Sequence, residues 1–177
     1  MKILHTICAV AIFASLSAVA NGQAEPNEAK KVIDTAQLQG KHTARYWGFR
    51  IFDAELWTAK AGKFSFDQDF ALSISYLYPF TKELLARTSV EDIARVEGGK
   101  PEDHAKLEKL LVGCLVDVDK YTRITGVAES ANKLTMYVNG RNSCTMSYPN
   151  VRKRFFGIWL APTSRDAKGA QRLRGNG

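Results

Sequence analysis

An α+β fold, an antiparallel β-sheet with α-helices packed on one face, is what this sequence predicts. Three observations carry it. Phe70 to Tyr78 alternates strictly, with Phe70, Leu72, Ile74, Tyr76 and Tyr78 on one side and Ala71, Ser73, Ser75 and Leu77 on the other. Leu107, Leu110, Leu111, Cys114 and Leu115 repeat instead with helical spacing, as one apolar stripe. These patterns come in blocks, β–β–β, α–α, β–β–β, α, and blocks of like elements suit an antiparallel sheet with segregated helices.

The chain opens with Met1-Lys2, an apolar stretch from Ile3 to Leu16, and Ala18-Val19-Ala20. A basic start, a short apolar run and a small-x-small site read as a signal peptide, residues 1–20, removed after Ala20. The run is too short for a spanning helix, although a retained anchor is the alternative. The mature protein is therefore expected in the periplasm or secreted. Residues 21–37 read as a polar leader or a first edge element, and residues 38–175 as the single folded domain.

Within that domain, Tyr46 to Thr58 is aromatic and β-rich and reads as strand. Ala61-Gly62-Lys63 and Asp67-Gln68-Asp69 read as turns, and Pro79 ends the alternating strand. Thr81 to Val96 is helical, with a capping-box pattern at Thr88-Ser89-Val90-Glu91 that could restart it, and Gly98-Gly99 closes it. Pro101 to Leu115 is a second helix whose Pro-Glu-Asp start suits an N-terminus. Tyr121 to Val127 and Lys133 to Tyr148 return to β. Asn139-Gly140 signals a two-residue hairpin. A loop of three residues, Val138-Asn139-Gly140, would instead bring Leu134, Met136, Cys144 and Met146 to one face, and is preferred for that reason. Asn150 caps a last helix whose stripe is Val151, Phe155, Ile158 and Trp159, with Phe155 and Trp159 as core anchors beside exposed Arg152, Lys153 and Arg154. The end, from Thr163, is polar and basic and helical around Leu173.

Cleavage would leave two cysteines, Cys114 and Cys144, both on apolar faces. In an oxidising compartment that pair favours a disulfide, with two buried thiols as the alternative. The net charge of +7 is concentrated at the end of the chain, where Arg152, Lys153, Arg154, Arg165, Lys168, Arg172 and Arg174 face one acid, Asp166. A nucleic-acid binder carries its basic residues on a face of the fold, so a solvated or membrane-proximal segment is expected and no nucleic-acid partner. His42 and His104 have no metal-ligand spacing, and no phosphate-binding glycine loop or nucleophile motif is present, so no metal and no cofactor are expected. Cations and rings on the first strands remain as ligand-binding candidates: Arg45, Trp47, Arg50, Tyr76, Tyr78 and Lys82. An arginine among rings can hold a carboxylate or phenolate while the rings cover an apolar body.

Several segments, in order, resemble the chalcone isomerase-like family, specifically its exported bacterial members. They are Phe49-Arg50-Ile51-Phe52-Asp53-Ala54-Glu55-Leu56-Trp57, then Phe70 to Tyr76, then Phe155-Phe156-Gly157-Ile158-Trp159-Leu160 followed by Thr163-Ser164 and Arg172-Leu173. The resemblance implies a curved antiparallel sheet with helices on one face, an open-faced sandwich enclosing an apolar cleft. The plant enzymes close a flavanone ring with a strand arginine, a tyrosine and nearby threonine and asparagine or lysine groups. Fatty-acid-binding relatives keep an arginine and a tyrosine for a carboxylate. Gly40-Lys41-His42-Thr43-Ala44-Arg45 makes Arg45 the arginine's counterpart. Trp47 lies near the place of the strand threonine, and Pro79 to Glu83 offers no tyrosine. The resemblance thus implies a non-catalytic binder of an apolar or carboxylated small molecule such as a fatty acid. The alternatives are an isomerase or intramolecular lyase on an enone-like substrate, and a structural protein with a filled interior.

Overall fold

The computed structural model describes residues 26–176; residues 1–20, read above as a signal peptide and including Cys8, and the first residues of the expected leader lie outside them. Six antiparallel strands pair in sequence order, β1 (Gln37–Tyr46), β2 (Phe49–Thr58), β3 (Phe70–Tyr76), β4 (Arg123–Ser130), β5 (Lys133–Val138) and β6 (Arg141–Ser147). Two helices cross between β3 and β4: α1 (Lys82–Glu97) and, after a 3-10 turn (Pro101–His104), α2 (Ala105–Cys114). Two more, α3 (Val151–Leu160) and α4 (Ala167–Leu173), follow β6.

The inner face of the sheet carries Leu56, Leu72, Ile74, Ile124, Leu134 and Met136. It packs on Val90 and Ile93 of α1, Leu107 and Leu111 of α2, and Phe155 and Phe156 of α3. The alternation in β3 and the stripe on α2 are therefore the two sides of one core. On the outer face lies a smaller core that the sequence did not announce. Ala29 and Ile33, from the 3-10 segment Asn27–Lys31 and its continuation, cover Trp57, Ala71, Val127 and Tyr137. Glu28 of that segment is buried and takes a hydrogen bond from Arg123 at 3.1 Å. The leader from residue 26 onward is packed rather than loose.

Four local expectations differ from the structure. The span read as one strand from Tyr46 reverses at Trp47-Gly48, both with positive φ (51° and 82°), so Tyr46 pairs with Phe49 across a two-residue turn. The aromatic run hid a turn that lacks the usual Asn-Gly signal. Helix α1 does not restart at Thr88. Thr81 caps it by accepting from the Leu84 amide, Gly98 closes it in the left-handed conformation, and Ser89 donates back to the Leu85 carbonyl at 2.7 Å. The β5–β6 turn is the two-residue kind, with Asn139 and Gly140 at φ 49° and 81°. A bulge between Met136 and Tyr137 then restores the register, so Leu134 pairs with Met146 and Met136 with Cys144. The shared face was right and the loop length was not. Asn150 precedes α3 with φ 55° and makes no side-chain cap; its amide instead donates to Asn132 Oδ1.

Cys114, the last residue of α2, is disulfide-bonded to Cys144 on β6, with Cα atoms 5.2 Å apart. The basic end is folded rather than a free tail. Arg152, read as exposed, keeps only 12% of its side chain exposed. It donates to the Ala128 carbonyl at 2.9 Å. Arg154 pairs with Glu97 at 3.0 Å, and Arg174 donates to the Leu160 carbonyl at 2.8 Å. Ala170 and Leu173 bury α4 against β1, where Gly40 lies so close to the Arg172 and Leu173 carbonyls that no Cβ could stand between them.

Candidate functional site

An apolar cavity of about 250 Å³ opens between the sheet and two helices. Phe52, Leu72, Ile74, Tyr76 and Ile124 form the sheet wall. Leu84, Leu85, Thr88, Ser89 and Asp92 of α1 form the second, and Phe155, Phe156, Ile158 and Trp159 of α3 the third. Gly126 makes the space possible, because a Cβ there would lie 2.9 Å from Phe156 Cε1 and push the ring away from the strand. The rings meet edge to face, Phe52–Tyr76 at 6.3 Å, Tyr76–Phe80 at 6.0 Å and Phe155–Trp159 at 5.3 Å. Such contacts fix the walls, so the cavity is preformed. It is slightly smaller than the ~300–1,000 Å³ of pockets that enclose drug-sized ligands, a size that suits a slender chain.

Three polar features interrupt the lining. Burial holds the Tyr76 phenol far above the usual tyrosine range. Thr88 and Ser89 line the α1 side, with the Ser89 hydroxyl already spent on Leu85. Asp92 stands at the Trp159 end, buried, and its Oδ1 collects two guanidinium groups. Arg95 donates at 3.3 and 3.1 Å, and Arg165 at 3.0 and 2.9 Å. No lysine or arginine belongs to the cavity lining itself among the described residues.

Of the six residues expected to bind a ligand, only Tyr76 lines this cavity. Arg45 and Arg50 pair across the β1–β2 hairpin and are exposed. They border a separate, open and polar depression with Lys41, Thr43, Asp53 and Glu55. Arg45 donates to the Gly48 carbonyl at 3.1 Å, and Arg50 holds both oxygens of Asp53 at 3.2 and 2.9 Å. Trp47 is at the hairpin turn, 84% exposed, and Tyr78 is 44% exposed beyond β3. Lys82 begins α1, its amide donating to Asp117 at 2.9 Å. The structure therefore gathers Arg45, Trp47 and Arg50 on one hairpin and leaves them off the apolar wall. Phe155, read as a core anchor, is buried in the main core, and Trp159, read likewise, is partly exposed and packs against it; both also line the cavity.

The residues that sequence reasoning missed are those of α1. Leu85, Ser89 and Asp92 fall at i, i+4 and i+7, the spacing of one helix face. An acid and a serine on an inward stripe were the available signal. The acid's partner Arg165 follows seventy-three residues later and was counted only as part of the basic end.

No protein-family model matches the sequence, and no curated protein matches it. Among solved structures, the chain superposes on the crystal structure of the Arabidopsis thaliana fatty-acid binding protein AtFAP1. The TM-score is 0.63 at 9% identity, over 81% of this chain and 88% of that one. The likeness shows the fold, an open antiparallel six-stranded sheet with helices, chalcone isomerase-like in kind.

Proposed function

We propose that this protein binds a small molecule with an apolar chain, a fatty acid or similar amphipath, in the cavity between sheet and helices, without catalysis. The observation that carries the reading is the preformed apolar cavity beside Tyr76, Phe155 and Trp159. A filled interior, as a purely structural role would have, does not offer it. The similar fold of a fatty-acid binding protein supports the same direction. Ring closure on an enone-like substrate asks for donors aimed at a developing oxyanion. The cavity lining supplies one buried phenol and no cation among its described residues, so binding fits it better.

Export belongs to the same proposal. Cleavage after Ala20 would leave Asn27–Lys31, which covers the outer core, within the mature chain, and an oxidising compartment suits the Cys114–Cys144 bridge. Contact with a membrane surface is the remaining part, since a ligand of this class partitions into lipid. The test is calorimetric titration of delipidated protein with saturated fatty acids of increasing length, beside a chalcone turnover assay. Binding is expected with no turnover. Leu85→Trp, which fills the cavity from its partly exposed α1 wall, should abolish binding while leaving the circular dichroism unchanged. Turnover above the uncatalysed rate would replace this reading with the isomerase, and no binding to any chain length would remove it.

A further inference from the structure

We infer that the ligand of the apolar cavity carries a neutral hydroxyl at its polar end, as a long-chain alcohol does, and that Asp92 Oδ2 accepts a hydrogen bond from it. This deepens the proposed binding function and rests on it. Asp92 is only 7% exposed and belongs to the wall between the apolar cavity and a second chamber of about 80 Å³. Helix α1 sets it there, two turns after Leu85 on the same face. Both guanidinium partners of Asp92, Arg95 and Arg165, bond Oδ1. Oδ2 has no hydrogen-bond partner among the described residues, yet it is not sealed within the packing. A ligand that fills the cavity shuts water out, and it loses affinity unless its own polar group donates to that oxygen.

The charges around Asp92 select among head groups. Two guanidinium groups already face its one carboxylate, so an ammonium head meets a neutralised partner and a positive surplus. A carboxylate head sets acceptor oxygens against an acceptor, and the cavity lining holds no lysine or arginine among the described residues. Arg165, which borders the small chamber, has a side chain 66% exposed and commits Nε and Nη2 to Asp92. A hydroxyl gives Oδ2 its donor and brings no charge. The other polar groups of the cavity do not discriminate. Ser89 spends its hydroxyl on the Leu85 carbonyl, Thr88 is exposed, and the Tyr76 hydroxyl can donate as well as accept. With its head at Asp92, an alcohol lays its chain along Phe52, Ile158 and Trp159, which border both spaces, and into the apolar cavity.

The experiment titrates the full-length mature protein with 1-decanol, decanoate and decyl methyl ether, which has the alcohol's oxygen without its proton. All three should enter on their chains. Decanol should bind about tenfold or more tighter than the ether, the worth of a hydrogen bond to a charged group, and several-fold tighter than decanoate. Asp92→Asn keeps an oxygen for the arginines and puts an N–H donor in the place of Oδ2. It should remove the preference for decanol over the ether, with the ether bound no worse than before. Tyr76→Phe should leave the preference intact. A purely structural Asp92 would instead weaken all three ligands alike, and that outcome overturns the head site. If Asp92→Asn fails to fold, the wild-type and Tyr76→Phe proteins decide. Equal binding of alcohol and ether, decanoate bound tighter than decanol, or a preference lost with Tyr76→Phe overturns the inference while leaving the cavity reading in place. Failure of all three ligands to bind the wild-type protein overturns the binding function and this inference with it.

Discussion

At the scale of single residues, chemistry was easier to list than to place. Arg45 and Arg165 are equally basic in the sequence and both exposed, yet one stands on a hairpin and the other, its side chain 66% exposed, pairs with the buried acid Asp92. Which arginine meets a cavity depends on contacts across seventy-three positions, and no local period encodes that. Tyr76 was found because it lies on a face whose period is two. Glu55 shows the cost of a wrongly solvated charge. Burial, the largest cause, holds its carboxyl above the usual range, with Arg123 and Lys41 pulling it partly back. A raised folded pKa means the unfolded chain releases its proton first. Stability therefore falls as pH rises from the unfolded value, about 4.3, through the folded one, and stays lower at neutral pH. Glu55→Gln should raise the urea midpoint at pH 7, with the advantage gone below about pH 4. A midpoint that drops at pH 7 would show that the carboxylate is needed by its cationic neighbours. Gly40 supports the opposite expectation. Gly40→Ala must push β1 away from the Arg172 and Leu173 carbonyls, and a cost of roughly 1–3 kcal/mol, typical of overpacking, is expected in urea denaturation. An unchanged midpoint would mean that α4 is free to move off the sheet.

At the scale of elements, the strands and helices with a clean period were legible and the turns were not. β3 and α2 declare themselves by alternation and by a stripe. Trp47-Gly48 does not, because a tryptophan with φ 51° is an unusual turn residue. The β5–β6 hairpin is more instructive. The requirement that Leu134, Met136, Cys144 and Met146 share a face was sound, but it can be met by a bulge as well as by a longer loop. Pattern fixes which side chains are buried, and several backbone solutions satisfy it. That face is what brings Cys144 to the end of α2, so the disulfide ties helix layer to sheet. The bridge spans 30 residues. Restricting such a loop in the unfolded chain corresponds to ~3–4 kcal/mol on the loop-entropy account. The double variant Cys114→Ser/Cys144→Ser should lose about that much in urea denaturation. Thiol titration of the denatured, unreduced wild-type protein should find no free thiol at either position. Two free thiols, or a double variant as stable as wild type, would mean the bridge contributes nothing in solution.

At the scale of the whole molecule, element order announced the layers, but the distribution of exposed apolar groups is visible only once the strands are paired. Tyr46, Trp47 and Phe49 are 70%, 84% and 64% exposed, and Tyr121 is 70% exposed. Antiparallel pairing brings the end of β1, the starts of β2 and β4 and the end of β3 to one end of the sheet, with Tyr121 donating its amide to the Tyr76 carbonyl. Tyr78, 44% exposed, and Leu84, 37% exposed and part of the cavity lining, lie on the chain that leaves β3 there. The basic end of the chain, the segment first assigned to membrane contact, has Arg152, Arg154, Arg165 and Arg174 engaged within the fold. Rings of the Tyr and Trp type next to cations suit the headgroup level of a bilayer, and here they stand beside a cavity proposed to take lipid chains. If the protein meets a membrane, this end should make the contact. Trp47 fluorescence should shift to the blue when vesicles of phosphatidylcholine, with or without phosphatidylglycerol, are added. Trp47→Ser should remove the shift and reduce co-sedimentation, whereas Lys168→Gln/Arg172→Gln should leave both nearly intact. A shift that survives Trp47→Ser, or sedimentation lost only with the basic pair, would return the contact to the C-terminal segment. No association with either vesicle would end the membrane proposal while leaving the cavity and its ligand untouched.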